Sequence, residues 1–225
     1  SDLTNGNVPD KNDITNAYAA VYNLGGDQVV YFGADHFAQE GDRQVGFWFF
    51  QNAVGLNPDG TFSGVHALGD ILVLSNFTRG GSVSTINVFE WVGSGGSDGE
   101  LDLIGVGAEC SGLVGPDDIC ATVNGSDTPA PWPYTPKSGS PGTFPTGSFF
   151  EGGINLTAVG LEACFSSFLG ETRTSQAVNA QLKDFALGQF EVCSLDVTKT
   201  VTQEDVCEDS NTPVTYEYTV TNTGI

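Results

Sequence analysis

Apolar positions along this chain come in short runs. Each run is ended by Gly, Pro, Asn or Asp before it reaches helical length. Residues 1–13 are polar, with Asp2, Asn5, Asn7, Asp10, Asn12 and Asp13, and predict an extended arm or a loop. Residues 17–22 and 28–32 flank Gly25-Gly26-Asp27 and predict a β-hairpin. Residues 45–51 (VGFWFFQ) are too few for a helix and too apolar for a surface, so they predict a buried strand. Asn57-Pro58-Asp59-Gly60 is turn chemistry, 70–76 is a second core strand, and Arg79-Gly80-Gly81 turns the chain again. Residues 85–92 alternate in polarity, 93–99 form a Gly/Ser loop, and 101–106, 149–158, 164–168, 177–187 and 190–192 supply further strands. The best helical candidate is 176–185, where Val178, Asn179 and the following Gly188 make strand an equal alternative. Ten or more short strands with turns between them predict an all-β fold. The expected form is one large two-sheet sandwich of jelly-roll type over residues 14–194.

Residues 195–225 change character. Residues 197–201 alternate as an edge strand, and 213–222 place Val214, Tyr216, Tyr218 and Val220 on one face, Thr215, Glu217, Thr219 and Thr221 on the other. These 31 residues supply two or three strands, whereas an immunoglobulin-like sandwich needs about seven. A lone hairpin is marginal in water, so this part needs a continuation, a neighbouring subunit or the first domain to cover it.

Charge narrows the range of partners. Seven basic residues stand against 28 acidic ones, a formal charge of -21. Nucleic acid and anionic membrane surfaces are excluded as expected partners, because both need clustered positive charge. No apolar run approaches the ~18 residues of a membrane span. The chain starts Ser1-Asp2-Leu3 and contains no Met, which is expected of a mature or excised segment. The five cysteines lie in no zinc-type spacing and read as disulfides of an oxidising, extracellular compartment. The expected pairs are Cys110–Cys120 and Cys164–Cys193, with Cys207 single or paired beyond residue 225; other connectivities remain open.

The string Tyr216-Glu217-Tyr218-Thr219-Val220-Thr221-Asn222-Thr223-Gly224, after Val197-Thr198-Lys199-Thr200-Val201, resembles the Ig-like repeat of large bacterial and archaeal surface proteins. The segments 12–20, 31–35 and 41–49 resemble an uncharacterised module that precedes such repeats in exported bacterial proteins. The resemblance implies secretion, a long modular parent and a lectin-like (concanavalin A-like) sandwich. It implies no reaction.

Candidate chemistry is sparse. The loop carrying Asp35, His36, Gln39, Glu40 and Asp42 is oxygen-rich enough for calcium, though a solvated hairpin loop explains it as well. Asp10, Asn12 and Asp13 form a second calcium candidate. Glu151, among aromatics and glycines, and Glu90, beside Trp91, are the acids most open to a groove; neither lies in an E-x-D-x-x-E strand motif, and a lone embedded Glu is usually structural. His36 and His66 read as structural. Residues 124–147 hold six of the ten prolines together with Trp132, Tyr134 and Phe144. The Trp132–Tyr134 pair either stacks on sugar rings or folds back as a lid. Sequons at Asn76, Asn124 and Asn155 matter only where glycosylation occurs.

The expected function is a non-enzymatic structural or adhesive module of a surface protein or filament, assembling with neighbouring copies by strand addition. The alternative is a carbohydrate-binding module using Trp132, Tyr134 and Glu151 with calcium. A glycoside hydrolase built on Glu151 is the third reading.

Overall fold

A computed structural model describes residues 8–39, 41–78, 82–110, 117–161, 164–189, 195–201 and 214–222. The chain is all-β. A short 3-10 turn at Asp10–Asn12 precedes β1 (Ile14–Leu24), β2 (Asp27–His36), β3 (Arg43–Phe50), β4 (Gly55–Leu56), β5 (Phe62–Ser63) and β6 (Ile71–Thr78). Then follow β7 (Ser82–Val92), β8 (Glu100–Glu109), β9 (Ile119–Val123), β10 (Thr128–Pro129), β11 (Thr143–Phe144) and β12 (Phe149–Asn155). The last elements are β13 (Ser167–Arg173), β14 (Leu182–Gln189), β15 (Leu195–Val201) and β16 (Tyr216–Asn222).

Ten strands make one continuous sheet in the order β1-β2-β12-β9-β8-β7-β6-β3-β13-β14. It folds over on itself. Phe32 of β2 and Phe150 of β12 point inward from one half and meet Phe47, Phe49 and Phe77 of the other. The centroids of Phe32 and Phe47 are 4.9 Å apart, and those of Phe77 and Phe150 are 4.7 Å apart in an edge-on contact. Each such ring contributes about 1.5–3 kcal/mol by burial. Glycine makes room for the stack: a Cβ at Gly152 would lie 2.7 Å from Phe32 Cζ. At the far edge β1 packs back on β13 and β14, and the Ile14 amide donates to Asp184 Oδ2 at 2.7 Å. The two layers are thus joined along one edge and nearly closed along the other.

The joined edge is β8. It pairs antiparallel with β7 in one layer and parallel with β9 in the other, through Ala108↔Cys120 and Glu109↔Ala121. Cys110–Cys120 is disulfide-bonded there, as its spacing predicts. Cys164 is also disulfide-bonded, to a partner outside the described residues, where Cys193 and Cys207 both lie.

Several expectations change. The polar arm is docked over its described part: Asn12 is buried, and the Thr172 hydroxyl donates to its carbonyl at 2.7 Å. The helical candidate at 176–185 is no helix; bends and a turn lead into β14. The strand expected at 164–168 begins at Ser167 and runs on to Arg173 through a wholly buried stretch. Residues 190–192 lie outside the described residues. β15 and β16 form a separate two-stranded antiparallel sheet with Val197 opposite Val220.

Candidate ligand-binding groove

The Pro-rich segment is a lid. Tyr134 is 4% exposed and donates its hydroxyl to the His36 carbonyl at 2.7 Å, with its ring edge-on to Phe144. Both its ring and its hydroxyl are thus engaged within the chain. Trp132 is half-buried near Tyr18, Phe144 and Phe149, and its indole N–H donates to Asp35 Oδ2 at 2.6 Å. Asp35 is fully buried and also accepts from the Thr15 hydroxyl and the Asn16 amide. A carboxylate removed from water needs such donors, and here they come from side chains of its own chain.

Glu151 is exposed on the outer face of β12. Pairing aligns Tyr18, Gly33 and Glu151 across three strands. Gly33 has no side chain, so Tyr18 lies over it and donates its hydroxyl to Glu151 at 2.5 Å. Burial, and then the bond to Glu151, push the Tyr18 phenol above its ordinary range.

The residues expected to hold calcium are not gathered. Asp10 pairs with Lys137 at 2.8 Å, and the Asp42 carbonyl accepts from Lys11. Burial, then Asp184 and Asp10, raise the Asp13 carboxyl. Glu40 lies outside the described residues. No group of three metal-ligating side chains occurs among the described residues. His36 is buried with both ring nitrogens unpartnered; burial first, then Arg43, push its pKa well down and keep it neutral.

A substantial concavity among the described residues lies elsewhere, on the outer face of β3 and β13. Because Phe47 and Phe49 point into the core, period-2 alternation turns Trp48 and Phe50 outward. Their rings stack at 5.5 Å and, with Leu169 of β13, form part of a groove of about 510 Å³. Phe62 and the segment up to His66 wall one side, and Gly96 and Ser97 of the β7–β8 loop contribute to the rim. The size is that of a small-ligand site.

Two titratable groups reach this groove. His66 stacks on Trp91 at 4.1 Å, with its Nδ1 3.0 Å from Asp70 Oδ2. Asp70 is buried and also accepts from the amides of Ala67 and Gln51. The carboxylate holds Nδ1 and leaves Nε2 as the ring nitrogen free to meet a ligand. Glu171 is the second group. It is 4% exposed and faces Gly46, where a Cβ would sit 2.8 Å from its Oε1. Burial pushes its pKa up to about 7, against the pull of Arg173, whose Nε is 3.3 Å away.

The expected site and the groove share no residue. Trp48 and Phe50 read as core, and Glu171 sits in a stretch with no strand signal. The available clue is VGFWFFQ itself: apolar residues on both faces of a strand require a cover on both sides.

No known protein family, curated protein or solved structure matches the chain. The function must therefore be argued from the groove. No helix among the described residues is long and apolar enough to cross a membrane.

Proposed function

We propose that the chain is an extracellular, non-enzymatic adhesive module of a cell-surface protein, and that it holds a carbohydrate in the Trp48 groove. One observation carries this: exposed parts of stacked aromatics line a concave face together with a single carboxyl, Glu171. Sugar C–H faces pack on aromatic rings, while the hydroxyls need a few placed polar partners. Glu171 and His66 are suited to that part. Hydrolysis by the usual route needs two carboxyls about 5–10 Å apart, and Glu171 is the one carboxyl among the lining residues, which favours binding over turnover. Two disulfide-bonded positions, Cys110–Cys120 and Cys164, favour an oxidising compartment.

The test is a glycan-binding screen with and without calcium, followed by titration of the best ligand into Trp48→Ala and Phe62→Ala. The expected result is at least a tenfold loss of affinity in both, with cooperative melting retained. Binding unchanged in both variants would dispose of the groove reading.

A second reading rests on β15 and β16. Val197, Val201, Tyr216, Tyr218 and Val220 are all about half exposed or more, so one face of this sheet is uncovered. Lys199 lies between the two tyrosines, 4.0 Å from the Tyr216 ring centre. Such a face suits assembly with neighbouring copies by strand addition. Electron microscopy of the native material tests it: regular filaments are expected, and dispersed single particles at high concentration would reject it.

A further inference from the structure

The chain is short of cations, and it does not spread them evenly. Of its seven Lys and Arg residues, four line one cavity of about 330 Å³: Lys11, Arg43, Arg173 and Lys183. Antiparallel pairing explains the convergence. Arg43 opens β3, Arg173 closes β13 beside it opposite Gln44, and Lys183 follows the turn into β14. The turn at Asp10–Asn12 brings Lys11 to the same end of the sheet. Asp42 is the one acid among the lining residues. The Arg43 guanidinium turns to the core side, over the Phe77 ring, whereas Arg173, opposite Gln44, lies on the outer face, so Lys11, Arg173 and Lys183 are the cations that face the cavity.

The charges of this cavity are poorly matched from within the chain. Arg43 is 4% exposed, yet its guanidinium donates to two carbonyls, those of Ala38 and Gly147, and meets no carboxylate among the described residues. Burial lowers its pKa to about 10. Arg173 gives Nη2 to the carbonyls of Ala177 and Val178, its Nε lies 3.3 Å from Glu171 Oε1 as an ion pair without a hydrogen bond, and its buried Nη1 has no partner. Lys11 donates to a carbonyl of Asp42. Lys183 makes no ion pair among the described residues. Of the other acids at this end, Asp10 pairs with Lys137, Asp184 accepts the Ile14 amide, and Asp13 lies beside both, its carboxyl raised by burial first and then by their charge. A buried guanidinium with a spare donor is costly in isolation and is relieved by an anion.

We infer that this cavity binds a small oxyanion, a phosphate, sulfate or carboxylate group, either free or borne on a sugar. Arg173, with its unpartnered Nη1, forms the fixed part of the site, and Lys11 and Lys183 close on the ligand from its rim. The cavity shares no lining residue with the Trp48 groove, though Arg173 is ion-paired with Glu171 of that groove.

The experiment is calorimetric titration and thermal melting of the intact chain with sodium phosphate, sodium sulfate and sodium glucuronate. Each is compared with sodium chloride at equal ionic strength. The lysines are partly exposed, so Lys11→Gln/Lys183→Gln is chosen to leave the buried arginines in place; Lys11→Arg/Lys183→Arg retains the charge. At least one oxyanion is expected to bind saturably and raise Tm above the chloride control. The Gln pair is expected to lose tenfold or more in affinity, and the Arg pair to keep most of it. Stronger binding of glucuronate than of phosphate identifies a sugar acid; the reverse identifies a free ion. Trp48→Ala is expected to leave all of this unchanged. A response equal to chloride, or equal in wild type and the Gln pair, overturns the inference.

Discussion

Glu171 is the residue whose chemistry departs most usefully from its type. Its folded pKa of about 7 lies above the ordinary 4.5. Between those values the folded chain keeps the proton and the unfolded chain releases it, so this group makes stability fall as pH rises through that window. The Tm of wild type minus that of Glu171→Gln is therefore expected to decrease from pH 4.5 to pH 7. A gap constant over that range would show that Glu171 does not titrate there. Little of this was legible beforehand. In SFLGETR the acid and the base two residues on look like a solvated turn, because sequence does not show that neighbours bury both. Trp132 and Tyr134 stood out by composition, but whether a ring faces solvent or the sheet depends on its polar tip. Here the tips reach Asp35 and the His36 carbonyl, and the rings follow.

At the scale of elements, turn chemistry and alternation located the first hairpin, the core strands and the first disulfide. They failed where a strand is wholly buried, as in β13, because alternation vanishes when both faces are covered. They also gave no account of how residues 124–147 dock. That lid is held by Trp132 on Asp35, Tyr134 on the His36 carbonyl, and the Lys137 amide on the Phe37 carbonyl at 2.8 Å. Trp132→Phe keeps the aromatic contacts and removes one donor from a buried carboxylate. The expected cost is about 1–3 kcal/mol. Urea denaturation checks it: the midpoint should fall with little change in slope, and an unchanged midpoint would mean the bond contributes nothing.

The whole molecule carries a charge of -21 on 225 residues, with seven basic residues against 28 acidic ones. Self-repulsion of this kind destabilises a compact state and is screened by salt, with a Debye length of about 10 Å at 0.1 M. Raising sodium chloride from 10 to 200 mM at neutral pH is expected to raise Tm; a flat or falling Tm would show that the acids are balanced locally. All-β class and a sandwich core follow from the spacing of short apolar runs. That the two layers are one sheet does not, because the edge strand β8 changes partners from antiparallel to parallel, and no residue pattern in 100–109 announces it.

That shared edge has a mechanical consequence. The bond Cys110–Cys120 bridges ten residues of sequence at the point where one layer passes into the other. A chain stretched from its ends carries load through the sulfurs there, and the intervening loop stays slack. Ten residues extend to roughly 33–36 Å, so the oxidised chain should pull out about 30 Å shorter than an oxidised Cys110→Ser/Cys120→Ser variant, which keeps the Cys164 bond, in single-molecule stretching. Equal contour lengths would mean that the loop bears force. Under tension the chain would keep that reserve of length locked until its surroundings became reducing.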